Sequence, residues 1–189
     1  MSKMQITEFG NSILRKRARR LSLADIKSKE VKKLISDMRE TITSGQYGVG
    51  LAAPQVGRSL AISVITIRPT PSHPERDNFE TVIINPTYKG VGKKIDKWEG
   101  CMSFGSNSKP VFAKAKRYER VEATWLDQDG QERSENLSGI IAHVFQHETD
   151  HINGILFVDL VEDSKSWMNE SEYKKMMASG TISTYKSKG

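Results

Sequence analysis

Gln146-His147-Glu148-Thr149-Asp150-His151-Ile152-Asn153-Gly154 is the stretch on which the reading of this 189-residue chain turns. Read as helix, residues four apart share one face a turn above one another, so His147 and His151 can reach a single ion. Glu148 is rotated about 100° from His147 around the helix axis. Its carboxylate therefore falls beside the ion's open position instead of filling it. Two imidazoles and a neighbouring carboxylate are what metal-assisted hydrolysis requires: ligands for the cation, and a base for the proton of its water. A solvated, charged helix face would spell the same letters, so the company of the motif decides its meaning.

The helix around it has clear ends. Ser138 reads as its N-cap, Ile140, Ile141, Val144, Phe145 and Ile152 as its apolar positions, and Gly154 as its stop. His143 lies one turn before His147 and allows two readings, a third ligand or part of a pocket wall. The helical rise separates the Cα atoms of His143 and His151 by about 12 Å, too far for one small ion to be shared readily.

Upstream, Arg117 to Leu126 alternates as a strand, and Asp127-Gln128-Asp129-Gly130 turns it into a second strand, Gln131 to Leu137. Phe104 to Lys116 reads as a long polar loop. Before it stands Trp98-Glu99-Gly100-Cys101-Met102-Ser103, which carries the only cysteine of the chain. Lys89 to Lys97 reads as a connection or an edge, while Thr81 to Asn85 and Leu60 to Ile67 read as strands. Between these two strands Pro69-Thr70-Pro71-Ser72-His73-Pro74 is a surface loop, with His73 facing solvent.

Gly48-Val49-Gly50-Leu51-Ala52-Ala53-Pro54-Gln55-Val56-Gly57 precedes the first strand. Its glycines permit close approach of backbone to a ligand. It is neither a dinucleotide fingerprint nor a phosphate loop, because the further glycine and the Gly-Lys-Ser/Thr are missing. From Ser22 or Asp25 to Ser44-Gly45, Val31, Leu34, Ile35, Met38 and Ile42 recur at helical steps, which predicts one amphipathic helix of about five turns. Met1 to Arg20 is a basic leader whose Ile13 and Leu14 can dock on the core. After the motif helix, Ile155 to Val161 reads as a last short strand. Lys165 to Met177 is weakly helical, and Ala178 to Gly189 is a polar, mobile tail.

Composition sets the outer limits. Hydrophobic residues make up 37 % and charged residues 28 % of the chain, the proportions of a soluble globular protein. The length suits one domain, taken as residues 1–163, followed by the segment 164–189. A lone Cys101 excludes an intrachain disulfide. No apolar run suggests a membrane span or a signal peptide, so a cytoplasmic or organelle-matrix location is expected. The net charge of +6 favours acidic surroundings, the ribosome among them, without indicating a specific nucleic acid.

Three stretches taken in order, Gly48-Val49-Gly50-Leu51-Ala52-Ala53-Pro54-Gln55, Glu99-Gly100-Cys101-Met102-Ser103 and Gln146 to Gly154, resemble the motifs of the peptide deformylases. The resemblance runs from about Met4 to Leu160. It implies an α+β fold with short antiparallel sheets around a buried central helix. It implies Cys101, His147 and His151 as ligands of one divalent metal, iron(II) in the cell, with zinc, nickel or cobalt as substitutes. A thiolate with two imidazoles suits a site that keeps one position open. The resemblance also implies Glu148 as general base and acid, and the Gln55 amide and the Met102 backbone N–H as donors to a developing oxyanion.

The remaining site residues follow from the same likeness. Gly48, Val49, Gly50 and Leu51 would run alongside the substrate, and Glu99, Gly100, His143 and Val144 would border the pocket for its first side chain. The substrate implied is the N-formylmethionyl end of a nascent polypeptide, released as formate and a free amine by a monomeric enzyme. Met102 stands where the family usually has leucine, and His143 where it usually has an apolar residue. Arg117 resembles the family's arginine and is expected to pair with Glu99 or Asp150. A metallopeptidase using His147, Glu148 and His151, and an inactive deformylase-like binding module, are the alternatives.

Overall fold

The amphipathic pattern after Ser22 folds as two helices instead of one. In the computed structural model, which describes residues 4–44, 48–69, 78–106 and 109–182, helix α1 spans Leu23–Lys27 and helix α2 spans Lys29–Thr43. Ser28 between them is extended, at φ −65° and ψ 149°, and its Oγ accepts from the Val31 N–H at 3.2 Å. A serine hydroxyl that satisfies a free N–H begins a new helix more readily than it continues an old one. Ser22 caps α1 in the same way, within a capping box completed by Asp25.

Among the described residues six strands form one antiparallel sheet: β1 (Gly50–Ala52), β2 (Ile62–Ile67), β3 (Phe79–Ser106), β4 (Lys109–Leu126), β5 (Glu132–Ser138) and β6 (Met168–Asn169). Their order is β1-β2-β3-β4-β5, with β6 paired to β4. The several short sheets expected are thus a single sheet with two long strands. Lys89 to Lys97, expected as a connection, lies within β3. The polar loop expected from Phe104 to Lys116 is the end of β3 and the start of β4, with 107–108 outside the described residues. The reason is one-sided burial. In β4, Ala113, Ala115 and Arg117 are buried while their neighbours are less so, and the lysines between them hide the alternation.

Helix α3 (Gly139–Ile152) follows β5 directly. Ser138 holds the N-cap position but makes no capping bond with its side chain. The helix ends at Asn153, and Gly154 turns the chain at φ +77°. A Cβ there would come within 2.7 Å of the Arg15 carbonyl oxygen, so the close approach of the leader requires glycine.

The β2 region is buried on both faces. Ile62 and Val64 pack with Leu34 and Met38 of α2, whereas Ile65 and Ile67 pack with Val144 and Phe145 of α3. The sheet therefore lies between α2 and α3 at this end. Leu14 of the leader is fully buried, in a 3-10 turn at Ser12–Arg15.

The strand expected over Ile155 to Val161 is instead a 3-10 turn at Phe157–Leu160, with one bridge from Val161 to Ala115. Asp159 accepts from the Leu156 N–H at 2.9 Å, and that local bond favours a turn over a ladder. Beyond it, β6 and α4 (Glu170–Ala178) pack on β4, where Tyr173 stacks on Phe112 with ring centroids 3.9 Å apart. His73 with residues 70–74 of its loop, Gly45 as a helix stop, and residues 183–189 of the expected tail all lie outside the described residues. Among the described residues, no helix is long and apolar enough to cross a membrane.

Candidate metal centre

Helix α3 is unusual in what it buries: His143, Gln146, Glu148, Thr149, Asp150 and His151 are all enclosed. Such groups are costly to bury without partners, and most of them have one. His147 Nε2 and His151 Nε2 stand 3.1 Å apart, and Cys101 Sγ is 3.2 Å from His151 Nε2. The three candidate ligand atoms lie within 4.8 Å of one another. Around a tetrahedral ion with ordinary bond lengths, such atoms would be about 3.4–3.6 Å apart. The donor set thus fits one divalent cation with little adjustment. Thiolate and imidazole suit zinc, iron, nickel and cobalt alike.

Cys101 reaches the helix because β3 leaves its register there. Gly100 pairs with Phe112 and Gly105 with Pro110, so Cys101 to Phe104 have no counterparts in the β3–β4 register. The bulge turns the thiol toward α3 and frees the Met102 backbone from the ladder. Cys101 Sγ also accepts from the Ser103 N–H at 3.4 Å and from Gln55 Nε2 at 3.5 Å. Gln55 sits in a 3-10 turn at Ala53–Val56. Its Oε1 accepts from the Ala52 N–H at 2.8 Å, which turns its NH2 toward Cys101 and Ser103.

Glu148 lies against the backbone of β1. A Cβ on Gly50 would come within 2.2 Å of Glu148 Oε1, so only glycine leaves room for this carboxyl. At Gly48, φ is +105° and a Cβ would meet the Met102 Cε at 2.9 Å. Glu148 Oε2 is 2.7 Å from Ser63 Oγ, which is also 2.8 Å from the Leu51 carbonyl oxygen. A hydroxyl has one proton to give. When Ser63 gives it to Leu51, it can only accept from a protonated Glu148; when it gives it to Glu148, the carboxylate is stabilised. Burial pushes the Glu148 carboxyl up to about 7, against the opposing pull of His147 and the Ser63 hydroxyl.

Glu99 organises the other side of the ligands. Its Oε1 meets Arg117 Nη2 at 2.6 Å and His147 Nδ1 at 2.5 Å, and its Oε2 meets Arg117 Nε and His143 Nε2, both at 2.8 Å. Arg117, 1 % exposed, also pairs with Asp150, and Tyr88 donates to Asp150 Oδ1 at 3.3 Å. Burial raises the Glu99 carboxyl, but Arg117 and His143 outweigh it and hold Glu99 well below the usual range. Burial lowers both ligand imidazoles. For His147 the Glu99 carboxylate reverses the effect and raises it well above its ordinary value, whereas for His151 the nearby His147 deepens it. Arg117 therefore pairs with Glu99 and Asp150 together, where the sequence offered one or the other.

His143 is placed beside the candidate ligands and not among them. Its Nε2 is bonded to Glu99, and the cluster of candidate ligand atoms comprises Cys101, His147 and His151 without it. Val144 packs in the core beside Phe145, and Leu51 is fully enclosed with the α2 residues. Gly100 lies under Phe112, where a Cβ would meet the ring at 2.6 Å. Ser63 and Ser103 were missed at the level of sequence. For Ser63 a signal existed, a small polar residue inside the apolar run Ala61-Ile62-Ser63-Val64. For Ser103 there was none.

With the geometry in hand, comparison with known proteins is informative. A family described as Polypeptide deformylase matches residues 3–167. Peptide deformylase 2 of Nostoc sp. (strain PCC 7120 / SAG 25.82 / UTEX 2576) is 32 % identical over 180 residues, covering 94 % of this chain and 97 % of its own. The peptide deformylase of Aquifex aeolicus (strain VF5) is 37 % identical over 174 residues, covering 92 % and 96 %. Among solved structures, the Met-Ala-Ser-bound class I type b peptide deformylase from Acinetobacter baumannii superposes with a TM-score of 0.77 at 29 % identity, covering 85 % of this chain and 99 % of that one.

Proposed function

The chain belongs to the polypeptide deformylase family and is a hydrolase acting at the formylated amino terminus of nascent polypeptides, and we propose how its own residues divide that work. Cys101, His147 and His151 hold one divalent ion, iron(II) in the cell and replaceable by zinc, nickel or cobalt. Bound there, the ion supplies Lewis acidity and lowers the pKa of water near neutrality. Glu148 takes the proton of the attacking water and returns it to the leaving amine. The enclosure that pushes its carboxyl up to about 7 suits it to both directions of transfer.

Gln55 and Met102 receive the negative charge that develops on the formyl oxygen. The Gln55 amide is already turned toward Cys101 by its bond to Ala52, so little reorganisation accompanies the reaction. Glu99 keeps His147 in one tautomer and orientation, with Arg117 and His143 fixing Glu99 in turn. The formylmethionyl end pairs with Gly48 to Leu51. This is supported by the place of β1 at the end of the sheet, where its second edge has no strand partner among the described residues. Glu99, Gly100, His143 and Val144 are assigned to substrate binding, with His143 on the side of the substrate's first side chain. The enzyme works as a monomer in the cytoplasm or an organelle matrix, and its charge of +6 favours proximity to the ribosome.

The observation that carries this reading is the convergence of Cys101, His147 and His151 within 4.8 Å, beside a buried Glu148. Protein purified without oxygen, to protect iron(II) and the thiolate, should release formate from formyl-Met-Ala-Ser in proportion to its metal content. Formate release that is indifferent to metal removal, or its absence from fully loaded protein, overturns the assignment.

A further inference from the structure

On α3, Thr149 and Asn153 point about 160–240° away from His147 and His151, given about 100° per residue. On that opposite side lies a cavity of about 450 Å³, lined by Arg17, Arg20, Tyr88, Thr149, Asp150 and Ile155 among others. Its volume falls within the range of small-molecule sites. It has no part in the hydrolytic chemistry.

Two features make it more than a surface depression. The first is the fixed backbone that carries its cations. The strip carrying Arg17 and Arg20 is held by bonds from the Ala18 N–H to Ile152 O, from Arg19 N–H to Ser59 O, from Ala61 N–H to Arg19 O, and from Leu21 N–H to Asn85 Oδ1, all at 2.8–3.0 Å. Asn85 also donates to the Leu21 carbonyl at 2.8 Å and is the one non-glycine residue of positive φ among the described residues, at 53°. Neighbouring Arg19 is occupied by Asp25 and Arg15 by Asp159, while Arg17 and Arg20 have no ion pair among the described residues. The second is an orphan: the buried hydroxyl of Thr149 has no hydrogen-bond partner. Such groups are uncommon in native interiors and call for a partner.

The charge balance favours an anion. The one carboxylate in the wall, Asp150, is already engaged by Arg117 and by the Tyr88 hydroxyl, which leaves the two guanidinium groups uncompensated. Paired guanidinium groups with a hydroxyl donor suit the oxygens of a phosphate or a carboxylate. The volume exceeds that of a bare phosphate, and Ile155, an exposed apolar side chain, stands at the wall to meet an apolar body. We propose that this cavity is a second ligand site, which takes a small phosphate monoester with a compact apolar group, seated by Arg17 and Arg20.

The site is tested on the metal-loaded full chain by calorimetric titration with phenyl phosphate and with inorganic phosphate, each in the presence of excess Met-Ala-Ser to occupy the metal site. Phenyl phosphate should bind saturably with one site per chain and at least about tenfold more tightly than inorganic phosphate. The Arg17→Ala/Arg20→Ala double variant should lose at least about tenfold of that affinity while releasing formate at the parent rate. Thr149→Val, which keeps shape and removes the hydroxyl, should weaken binding severalfold at unchanged Tm. Absence of saturable binding, binding abolished by Met-Ala-Ser, or equal affinity in the double variant each overturn the proposal. So does tight binding of a short RNA without binding of phenyl phosphate, since the arginines would then form an open basic patch and not a cavity site.

Discussion

Helices α2 and α3 are nearly equal in length, 15 and 14 residues, and both lie against the same sheet. They are opposites in what they bury. Helix α2 encloses Val31, Leu34, Ile35, Met38 and Ile42 and leaves Lys29, Lys32 and Lys33 exposed, where Lys33 pairs with Asp37 at 2.6 Å. Helix α3 encloses Glu148, imidazoles and Asp150, most of them matched by groups from elsewhere in the chain. The first is held by hydrophobic burial, which tolerates many sequences of the right period. The second is held by a polar network in which each member depends on the next. Substitutions in α2 are therefore felt as stability alone, and substitutions in α3 and its partners as stability, metal retention and rate in separable proportions.

The largest effect is expected at Glu148, the residue of α3 proposed to move the proton. Glu148→Gln keeps the shape of the side chain and its contact with Ser63, and removes the proton acceptor. Formate release should fall by about a thousandfold or more, within the upper part of the range for a lost general base. Metal content measured on the same preparation should be unchanged. Loss of the ion, or turnover within tenfold of the parent, would mean that Glu148 is a ligand or a bystander.

Next comes the network itself. Arg117→Leu leaves Glu99 and Asp150 buried without their cation, and breaking such a pair costs about 3–5 kcal/mol. In α2 a comparable loss needs a large cavity: Met38, fully buried, should cost about 2–5 kcal/mol on change to Ala. Denaturant unfolding of metal-free protein gives both numbers. The distinction between the helices appears in the metal. Titration of refolded Met38→Ala should give the parent affinity, whereas Arg117→Leu should bind more weakly, because Glu99 no longer holds His147 in place. Equal metal affinity in the two variants would dissolve the contrast.

His143 offers a finer cut of the same network. Its Nε2 contacts Glu99 but no ligand atom, so His143→Leu should act on the ion only through Glu99 and His147. Loss of one such supporting bond typically weakens metal affinity by 10- to 100-fold; because Arg117 still holds both Glu99 oxygens, about tenfold is expected here. His143→Gln, which can still donate to Glu99, should restore most of it. Competition with a chelator of known affinity reads this directly. A tenfold loss that Gln fails to rescue would assign His143 to packing.

How much of this was legible beforehand follows the same division. The α2 stripe was readable because its apolar period is undisturbed, apart from the break at Ser28, whose local cap outweighs the period. The cluster of Cys101, His147 and His151 was readable because these residues are few and chemically distinctive. The length of β3 was not, because Lys89 to Lys97 is polar wherever one face meets water, and only the tertiary partner reveals which face is covered. Nor was Ser63 as the partner of Glu148, since a contact across 85 residues leaves no mark on local spacing.

The smallest effect belongs to the capped end of α1, which precedes α2. Asp25 completes the capping box with Ser22 and pairs with Arg19 at 3.0 Å, all at the surface. The Arg19 hydrogen bond, followed by the Ser22 backbone and hydroxyl bonds, lowers the Asp25 carboxyl from 3.8 to about 2. A group held below its unfolded value stabilises the folded form while it is ionised. The contribution is thus complete above about 3.8, diminishes as pH falls through that value, and is gone below about 2. Carbon-detected NMR should follow the Asp25 carboxyl to a midpoint near 2, with the α1 amide signals moving in step and those of α2 left in place. Asp25→Asn should remove the α1 response while leaving metal content and formate release at parent levels. A midpoint near 3.8 would show that the box and the Arg19 pair are not formed in solution, and α1 would then owe its helix to Ile26 packing against the core.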